Sequence, residues 1–223
     1  MTITIKICGL STPETLEAAL AAGADMVGFV RFAKSPRHLS LAAAQSLGRQ
    51  VGGRARKVLL TVDADEPALA AAIEALKPDL LQLHGNETPQ RVAALKARFG
   101  LPVMKAIAIG TAADLARIAA YEPAADMLLL DSRAADSVLP GGSGKTFDWT
   151  LLGGLDLRKP WLLAGGLDAG NVGMALAATH APGVDVSSGV ESAPGVKDVA
   201  KISAFVAAAR AAGEKLGSAA KSG

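Results

Sequence analysis

The sequence predicts a single (β/α)8 (TIM) barrel, and three observations lead to this fold class. Short apolar runs typical of strands alternate with alanine-rich segments typical of helices along most of the chain. There are eight such runs, and their near-continuous apolar character indicates a parallel sheet covered by helices. The chain has 223 residues, a length that suits one large core. A doubly wound open sheet is the alternative that these patterns leave open.

The strands and helices follow one another in a regular order. Strands are predicted to begin near Ile3, Asp25, Lys57, Leu80, Pro102, Asp126, Pro160 and Gly183. Helices are predicted over Pro13–Ala22, Leu41–Val51, Pro67–Leu76, Pro89–Phe99, Ala112–Tyr121, Asn171–Ala178 and Asp198–Ala211. A polar cap residue followed by proline opens several of them, as in Thr12-Pro13 and Thr88-Pro89. The barrel is therefore expected to span residues 1–212, and residues 213–223 are expected to form a flexible tail.

Two of the connections between strands are longer than the others. The predicted strand starts are 32 residues apart from Asp25 to Lys57 and 34 apart from Asp126 to Pro160, against 22 to 24 elsewhere. In a (β/α)8 barrel, the loops that follow the strands carry the active site. The extra residues, which include Ser35-Pro36-Arg37 and Gly141-Gly142-Ser143-Gly144, therefore mark functional loops.

Composition excludes several classes of function. Lysine and arginine exceed aspartate and glutamate by 23 to 21, and no basic stripe with interleaved aromatic residues indicates nucleic-acid binding. No apolar run approaches the ~18 residues of a membrane-spanning helix, and the first residues alternate like a strand rather than a secretory signal. We therefore expect a cytoplasmic protein whose partner is a small, anionic molecule.

The chain also offers no pattern of metal ligands. Cys8 is the single cysteine, which excludes a disulfide framework and a zinc site built on a cysteine cluster. The three histidines, His38, His84 and His180, have no ligand spacing. These residues therefore give no indication of a metal site.

Two titratable residues end predicted strands and are candidates for proton transfer. Cys8 follows strand 1, and Asp131 follows the apolar run Met127–Leu130 of strand 6. A carboxylate against apolar walls has a raised pKa and can act as an acid at neutral pH. The alternatives are a buried, inert thiol and a solvated or capping carboxylate. Their common position at the carboxyl ends of barrel strands favours catalysis.

A second set of residues is expected to bind the substrate. Glycines and serines end strands 7 and 8, the usual phosphate site of this fold: Gly165, Gly166, Ser187, Ser188 and Gly189. Arg37 follows a stiff proline, and its guanidinium suits a carboxylate. Gln82 and His84 end strand 4, where they either line the pocket or make structural hydrogen bonds. Gly142 and Gly144 belong to a loop that lacks the spacing and the following helix of a nucleotide P-loop, and that we interpret as a mobile lid.

Together these segments resemble the phosphoribosylanthranilate isomerase family. The matching segments are Lys6-Ile7-Cys8-Gly9-Leu10, Gly28-Phe29 with Ser35-Pro36-Arg37, Gln82-Leu83-His84-Gly85-Asn86-Glu87, Leu130-Asp131, Gly141-Gly142-Ser143-Gly144 with Phe147-Asp148-Trp149, Leu163-Ala164-Gly165-Gly166-Leu167 with Asn171-Val172, and Gly183–Glu191 with Pro194-Gly195 and Lys197-Asp198. Each motif is weak alone, but their order and spacing are specific. Arg31 departs from the pattern, since an apolar or aromatic residue is expected there.

The resemblance implies an Amadori rearrangement in tryptophan biosynthesis. N-(5-phosphoribosyl)anthranilate would become 1-(2-carboxyphenylamino)-1-deoxyribulose 5-phosphate. By the same analogy Asp131 protonates the ring oxygen, Cys8 as thiolate removes the sugar C2 proton, and Arg37 holds the anthranilate carboxylate. The glycines and serines after strands 7 and 8 would hold the phosphate. The resemblance further implies that neither a metal nor an organic cofactor is needed, because the substrate's own nitrogen provides the electron sink. The chain is expected to be a monomer or a homodimer, and the sequence leaves both open.

Two alternative functions are another phosphosugar isomerase and a non-catalytic phosphate-binding barrel. A related isomerase of histidine biosynthesis uses aspartates at the ends of strands 1 and 5, where this chain has Cys8 and Lys105-Ala106. A non-catalytic phosphate-binding barrel would tolerate loss of the acid or the base, yet both are present.

Overall fold

A computed structural model describes residues 2–132 and 148–219 and confirms the predicted barrel. Eight parallel strands pair in chain order, and the last strand pairs with the first, which excludes the open sheet. The strands are β1 Thr4–Cys8, β2 Met26–Arg31, β3 Arg56–Thr61, β4 Leu80–Leu83, β5 Val103–Ile109, β6 Met127–Ser132, β7 Trp161–Leu163 and β8 Gly183–Val186. Each begins within one residue of its predicted start.

Helices cover the outside of the barrel. They are α1 Pro13–Ala21, α2 Leu41–Val51, α3 Glu66–Leu76, α4 Pro89–Phe99, α5 Ala116–Tyr121, α6 Val172–Thr179 and α7 Val199–Ala219. The predicted helix Ala112–Tyr121 is divided, because its first turn, Ala112–Leu115, is a 3-10 helix. Further 3-10 turns lie at Trp149–Leu152 and Ser188–Val190, and after β8 a short hairpin that the sequence analysis did not predict pairs β9 Glu191–Ala193 with β10 Val196–Lys197.

The helix starts follow from the sequence. Thr12, Ser40, Asp65 and Thr88 each accept a hydrogen bond from the backbone N–H three residues later, as N-caps do. At the other end, Gly52 closes α2 and Gly100 closes α4 in the left-handed conformation that glycine adopts without strain. These local signals explain why the predicted bounds of α2 and α4 agree with the structure.

Apolar side chains pack against both faces of the sheet, outside and inside the barrel. The larger layer fills the space between the strands and the helices, and includes Ile5 and Ile7 of β1. A smaller cluster lies inside the barrel, with Met26, Val58 and Leu129 among its members. Because successive side chains of a strand face opposite sides, the residues that alternate with the outer layer face the barrel interior and its mouth.

The end of the chain differs from the prediction. Helix α7 continues to Ala219 and does not end near Ala211, so residues 213–219 are helical. Gly213 is buried, and Leu216 packs against the outer core. Glycine in a helix interior costs about 1 kcal/mol relative to alanine, and the packing of this last stretch explains why the helix does not stop there. Within the described residues, no helix is both long and apolar enough to cross a membrane.

Candidate active site

A cavity of about 240 Å³ opens where the strands end at their carboxyl termini. Eight of the predicted site residues line it: Cys8, Arg37, His84, Asp131, Gly165, Gly166, Ser187 and Ser188. Two others, Gln82 and Gly189, lie next to lining residues without lining the cavity themselves. The predicted residues Gly142 and Gly144 lie outside the part of the chain that the structure describes.

Cys8 lies at the end of β1 with its thiol inside the barrel. Its register partner on β2 is Gly28, which has no side chain to occupy the adjacent space. A Cβ added to Gly28 would lie 2.9 Å from Cys8 Sγ and 3.2 Å from Lys6 Nζ. The thiol is 3% exposed, and burial raises its pKa above the ordinary value of 9.0, while the nearby Lys6 ammonium acts in the opposite direction. A thiolate base therefore depends on nearby positive charge.

Asp131 lies near the end of β6 and is held by His84, the residue that follows β4. His84 Nε2 lies 3.2 Å from Asp131 Oδ2, and the Gln82 amide donates to His84 Nδ1 at 2.9 Å. Because Nδ1 accepts that bond, the imidazole proton is on Nε2 and points at the carboxyl group. The second oxygen, Oδ1, is then available to carry a proton into the cavity. Gln82 does not line the cavity but orients His84 by this hydrogen bond, so of the two roles predicted for Gln82 the structure favours the structural hydrogen bond.

Arg37 reaches the cavity from the loop after β2 and is held in a bidentate ion pair. Its Nε and Nη2 donate to the two oxygens of Glu191, at 2.6 and 2.8 Å. Lys197 Nζ also donates to Glu191, at 2.7 Å. The arginine stem crosses Gly9, where an added Cβ would lie 2.5 Å from Arg37 Cδ. Among the described residues the guanidinium has no other partner, so Nη1 remains to bind an anion.

The loops after β7 and β8 meet at the cavity with their backbones in close contact. Gly165 and Gly166 have positive φ, 94° and 65°, which favours glycine. Neither of their N–H groups donates to another described residue. A Cβ on Gly189 would lie 1.9 Å from the Leu167 carbonyl oxygen. Small residues therefore let the two loops form a concave surface of backbone donors, which suits a phosphate.

An apolar wall completes the cavity on the side of β2 and β3. It comprises Val30, Phe32, Leu60 and Val62, and all four residues cluster with Cys8 or pack against that cluster. The wall lies near Arg37, so the cavity joins a flat apolar surface to a cationic group. This combination fits an aromatic ring that carries a carboxylate.

Sequence reasoning missed the charged residues that support the site. Lys6 pairs with Asp185 at 2.8 Å, and Glu191 joins Arg37 to Lys197. For Lys6 a signal existed, because it alternates with Ile5 and Ile7 and so faces the barrel interior. For Glu191 the only signal in the sequence was that it ends the segment Gly183–Glu191, which resembles the family pattern.

Arg31, the departure from the family pattern, points away from the cavity. It does not line the cavity, and its guanidinium donates to the backbone oxygen of Leu39 and lies 3.2 Å from His38 Nε2. The charge of Arg31 therefore anchors the loop after β2. Among the described residues no group of three metal-ligating side chains comes together.

Comparison with known proteins gives one family. The family model described as N-(5'-phosphoribosyl)anthranilate (PRA) isomerase matches residues 5–208. A protein of Beijerinckia indica named N-(5'-phosphoribosyl)anthranilate isomerase is 63% identical over 211 residues, which cover 94% of this chain and 95% of that protein.

Solved structures give the same result. A phosphoribosyl anthranilate isomerase in complex with reduced 1-(o-carboxyphenylamino)-1-deoxyribulose 5-phosphate has a TM-score of 0.81 and 29% identity, over 94% of this chain and all of that one. Monomers generated from the dimeric isomerase of Thermotoga maritima have a TM-score of 0.80 and 30% identity, with the same coverage.

Proposed function

The chain belongs to the N-(5'-phosphoribosyl)anthranilate isomerase family, and we propose that Cys8 and Asp131 are the base and the acid of its reaction. The enzyme converts N-(5-phosphoribosyl)anthranilate to 1-(2-carboxyphenylamino)-1-deoxyribulose 5-phosphate in tryptophan biosynthesis. The observation that carries the assignment is that the only thiol of the chain and a histidine-held carboxyl group line one cavity at the ends of β1 and β6.

The residues divide the reaction into two proton transfers. Asp131, protonated on Oδ1, donates to the ring oxygen of the ribose as the C1–O bond breaks, and the substrate nitrogen forms a Schiff base. Cys8 as thiolate then removes the proton from C2, and the resulting enolamine tautomerises to the ketone. General acid and base catalysis of this kind contributes about 10²–10⁴-fold for each group. The substrate's own nitrogen accepts the electrons, so no cofactor is required.

The phosphate and the carboxylate of the substrate bind at different parts of the cavity. We place the phosphate on the loops after β7 and β8, at Gly165, Gly166, Ser187, Ser188 and Gly189, where backbone donors and tight contacts support it. The anthranilate ring lies against the apolar wall, and its carboxylate faces Arg37. His84 lines the cavity between these ends, and Gln82 holds His84. The loop that contains Gly142 and Gly144 is proposed to cover the bound substrate.

We propose that the protein is a cytoplasmic monomer or homodimer. The Thermotoga maritima relative is described as dimeric and also yields monomers, which supports a monomer or a homodimer here. The biosynthetic role supports a cytoplasmic location.

Turnover of variants tests the assignment. We expect Cys8→Ala and Asp131→Asn each to lower kcat by about 10²–10⁴-fold, because each removes one proton transfer. Disappearance of the fluorescent anthranilate substrate is the measurement, and binding of inorganic phosphate shows that the site is intact. Near-normal turnover in either variant would remove that residue from the mechanism.

A further inference from the structure

We propose that Lys6, held in place by Asp185, is a positioning residue that keeps the Cys8 thiolate available as the base of the reaction. This inference rests on the proposed role of Cys8. The proposed function gives no role to the ammonium of Lys6, which lies near the Cys8 thiol.

The strand register brings the three groups together. Lys6 and Cys8 are two residues apart on β1, so both face the barrel interior. On the neighbouring strand β8, Asp185 is the register partner of Lys6. On the other side, Gly28 of β2 is the register partner of Cys8. The cluster is therefore built from three adjacent strands of a closed sheet, which makes its geometry rigid.

The glycine leaves room for the thiol and the ammonium to approach each other. Both atoms lie within 3.2 Å of the point that a Cβ of residue 28 would occupy. Any side chain there would push between them. Lys6 is 0% exposed, so water does not screen its charge, and an unscreened cation near a thiol stabilises the thiolate strongly.

Asp185 holds the ammonium in this position. A buried ammonium without an anion is unfavourable, because burial disfavours the charged form. The ion pair of Lys6 Nζ with Asp185 Oδ1, at 2.8 Å, offsets this cost and fixes the position of Nζ. The same ammonium lies near the Cys8 thiol, so the carboxylate of Asp185 and a thiolate of Cys8 compete for it.

The other charged groups near Cys8 come from different elements. They are Asp185 of β8, Lys197 of β10, Asp131 of β6, His84 from the loop after β4 and Arg37 from the loop after β2. Lys197 donates hydrogen bonds to Glu191 and to the Ser187 backbone, so its ammonium is held by these partners rather than by the thiol of Cys8. Lys6 is therefore the cation whose removal changes the thiol most.

The single cysteine makes the test direct. Reaction of the full-length protein with iodoacetamide, a neutral reagent, modifies the thiolate of Cys8 and is read by mass spectrometry. The rate as a function of pH gives the midpoint of thiol ionisation without any turnover. A charge partner at this range shifts such a midpoint by about 1–3 pH units. We therefore expect Lys6→Met to move the midpoint at least about one unit to higher pH.

A matched control is available in Lys105. It is likewise a buried lysine of a barrel strand and is paired with a carboxylate, Glu87, at 2.8 Å, but it lies on the outer side of β5. Lys105→Met should leave the Cys8 midpoint unchanged. An unchanged midpoint in Lys6→Met would overturn the proposal, because Lys6 would then have no effect on the thiol. Equal shifts in Lys6→Met and Lys105→Met would also overturn it, because the loss of any buried lysine would then have the same effect.

A second variant keeps the proposal testable if Lys6→Met does not fold. Asp185→Asn keeps an oxygen that can accept a hydrogen bond from Lys6 Nζ but removes the carboxylate, so the Cys8 thiolate becomes the anion that offsets the buried ammonium, and we expect the midpoint to fall. A rise in this variant would contradict the proposal. Turnover provides the link to function: Lys6→Met should lose about tenfold or more in kcat/KM near neutral pH, and part of the loss should be recovered as the pH is raised. If Cys8→Ala is active, the assigned base is wrong whatever the midpoints show.

Discussion

Arg37 owes its position to a residue 154 positions later in the chain. The carboxylate of Glu191 occupies Nε and Nη2 of the guanidinium, and Gly9 allows the stem to lie flat across the backbone. Such bidentate pairs restrict geometry as well as adding energy. The remaining donor therefore faces the cavity in a defined direction, and Arg37 is suited to select a substrate by its carboxylate.

Substitution of Arg37 tests this selectivity. We expect Arg37→Ala to weaken binding of the carboxylated substrate by about 1.5–3 kcal/mol, because a charge-assisted hydrogen bond is lost. The affinity for inorganic phosphate should barely change. Arg31→Ala is the control, since Arg31 carries the same charge but does not line the cavity. Titration of both ligands against both variants is the measurement, and equal losses for the two ligands in Arg37→Ala would reverse the proposed orientation of the substrate.

The loops after β7 and β8 act as one element of the site, although neither is a regular helix or strand. Gly189 is packed against the Leu167 carbonyl so closely that a methyl group has no room. We expect Gly189→Ala to separate the two loops, with a loss of stability of about 1–3 kcal/mol, as overpacking usually gives, and weaker binding of inorganic phosphate.

Gly173 offers a matched control for that substitution. It lies in α6, and its added Cβ would make ordinary contact with Ala212 at 3.9 Å. Gly173→Ala should therefore leave phosphate binding unchanged. Calorimetric titration and thermal unfolding measure both effects, and an unperturbed Gly189→Ala enzyme would show that the contact between the loops is not required.

Helix α7 gives a prediction about the end of the chain. Residues 213–219 are helical, and Leu216 contacts the core. Removal of residues 213–223 should destabilise the protein by about 1 kcal/mol, from the apolar surface that Leu216 no longer buries, and lower Tm by roughly 2–4 °C at this size. Removal of residues 220–223 alone should leave Tm unchanged. Equal Tm values for the two truncations would restore the predicted boundary at residue 213.

At the scale of the whole molecule, buried ion pairs join parts of the barrel mouth that are distant in sequence. Glu191 connects the loop after β2 to the hairpin β9–β10 through Arg37 and Lys197, and Lys197 continues to Ser187. Ser187 in turn donates to the Cys8 carbonyl at 3.1 Å. Burial alone would raise the pKa of Glu191, but its hydrogen bonds with Arg37 and Lys197 outweigh burial and lower the pKa below 4.5.

This network predicts how stability depends on pH. Because the folded pKa of Glu191 lies below the unfolded value, its contribution is complete above about pH 4.5 and is lost as the pH falls through the folded pKa. Glu191→Gln should therefore lower Tm at neutral pH, and the difference from the wild type should shrink in strongly acidic solution. Thermal unfolding across this range is the measurement, and a difference that stays constant with pH would exclude an electrostatic origin.

The strands, the helices and the end of the barrel that carries the site could be predicted from the sequence alone. Apolar runs and helix caps are local signals that can be read from a few neighbouring residues. The predicted strand starts therefore lie within one residue of the observed ones, and the predicted bounds of α2 and α4 are the same as the observed bounds. Parallel strands in a closed barrel place all their carboxyl ends together, so Cys8 and Asp131 could be predicted to share one mouth from their positions alone.

The contacts between the side chains of the site, in contrast, could not be predicted without the tertiary structure. The pairs Lys6–Asp185 and Arg37–Glu191 join residues 179 and 154 positions apart, and closure of β1 on β8 makes the first of them neighbours. Likewise, the placement of Gln82 behind His84, the outward direction of Arg31 and the end of α7 depend on packing. Sequence periodicity acts through neighbours along the chain, whereas the electrostatics of a buried site depend on distances across it, which exist only once the barrel has closed.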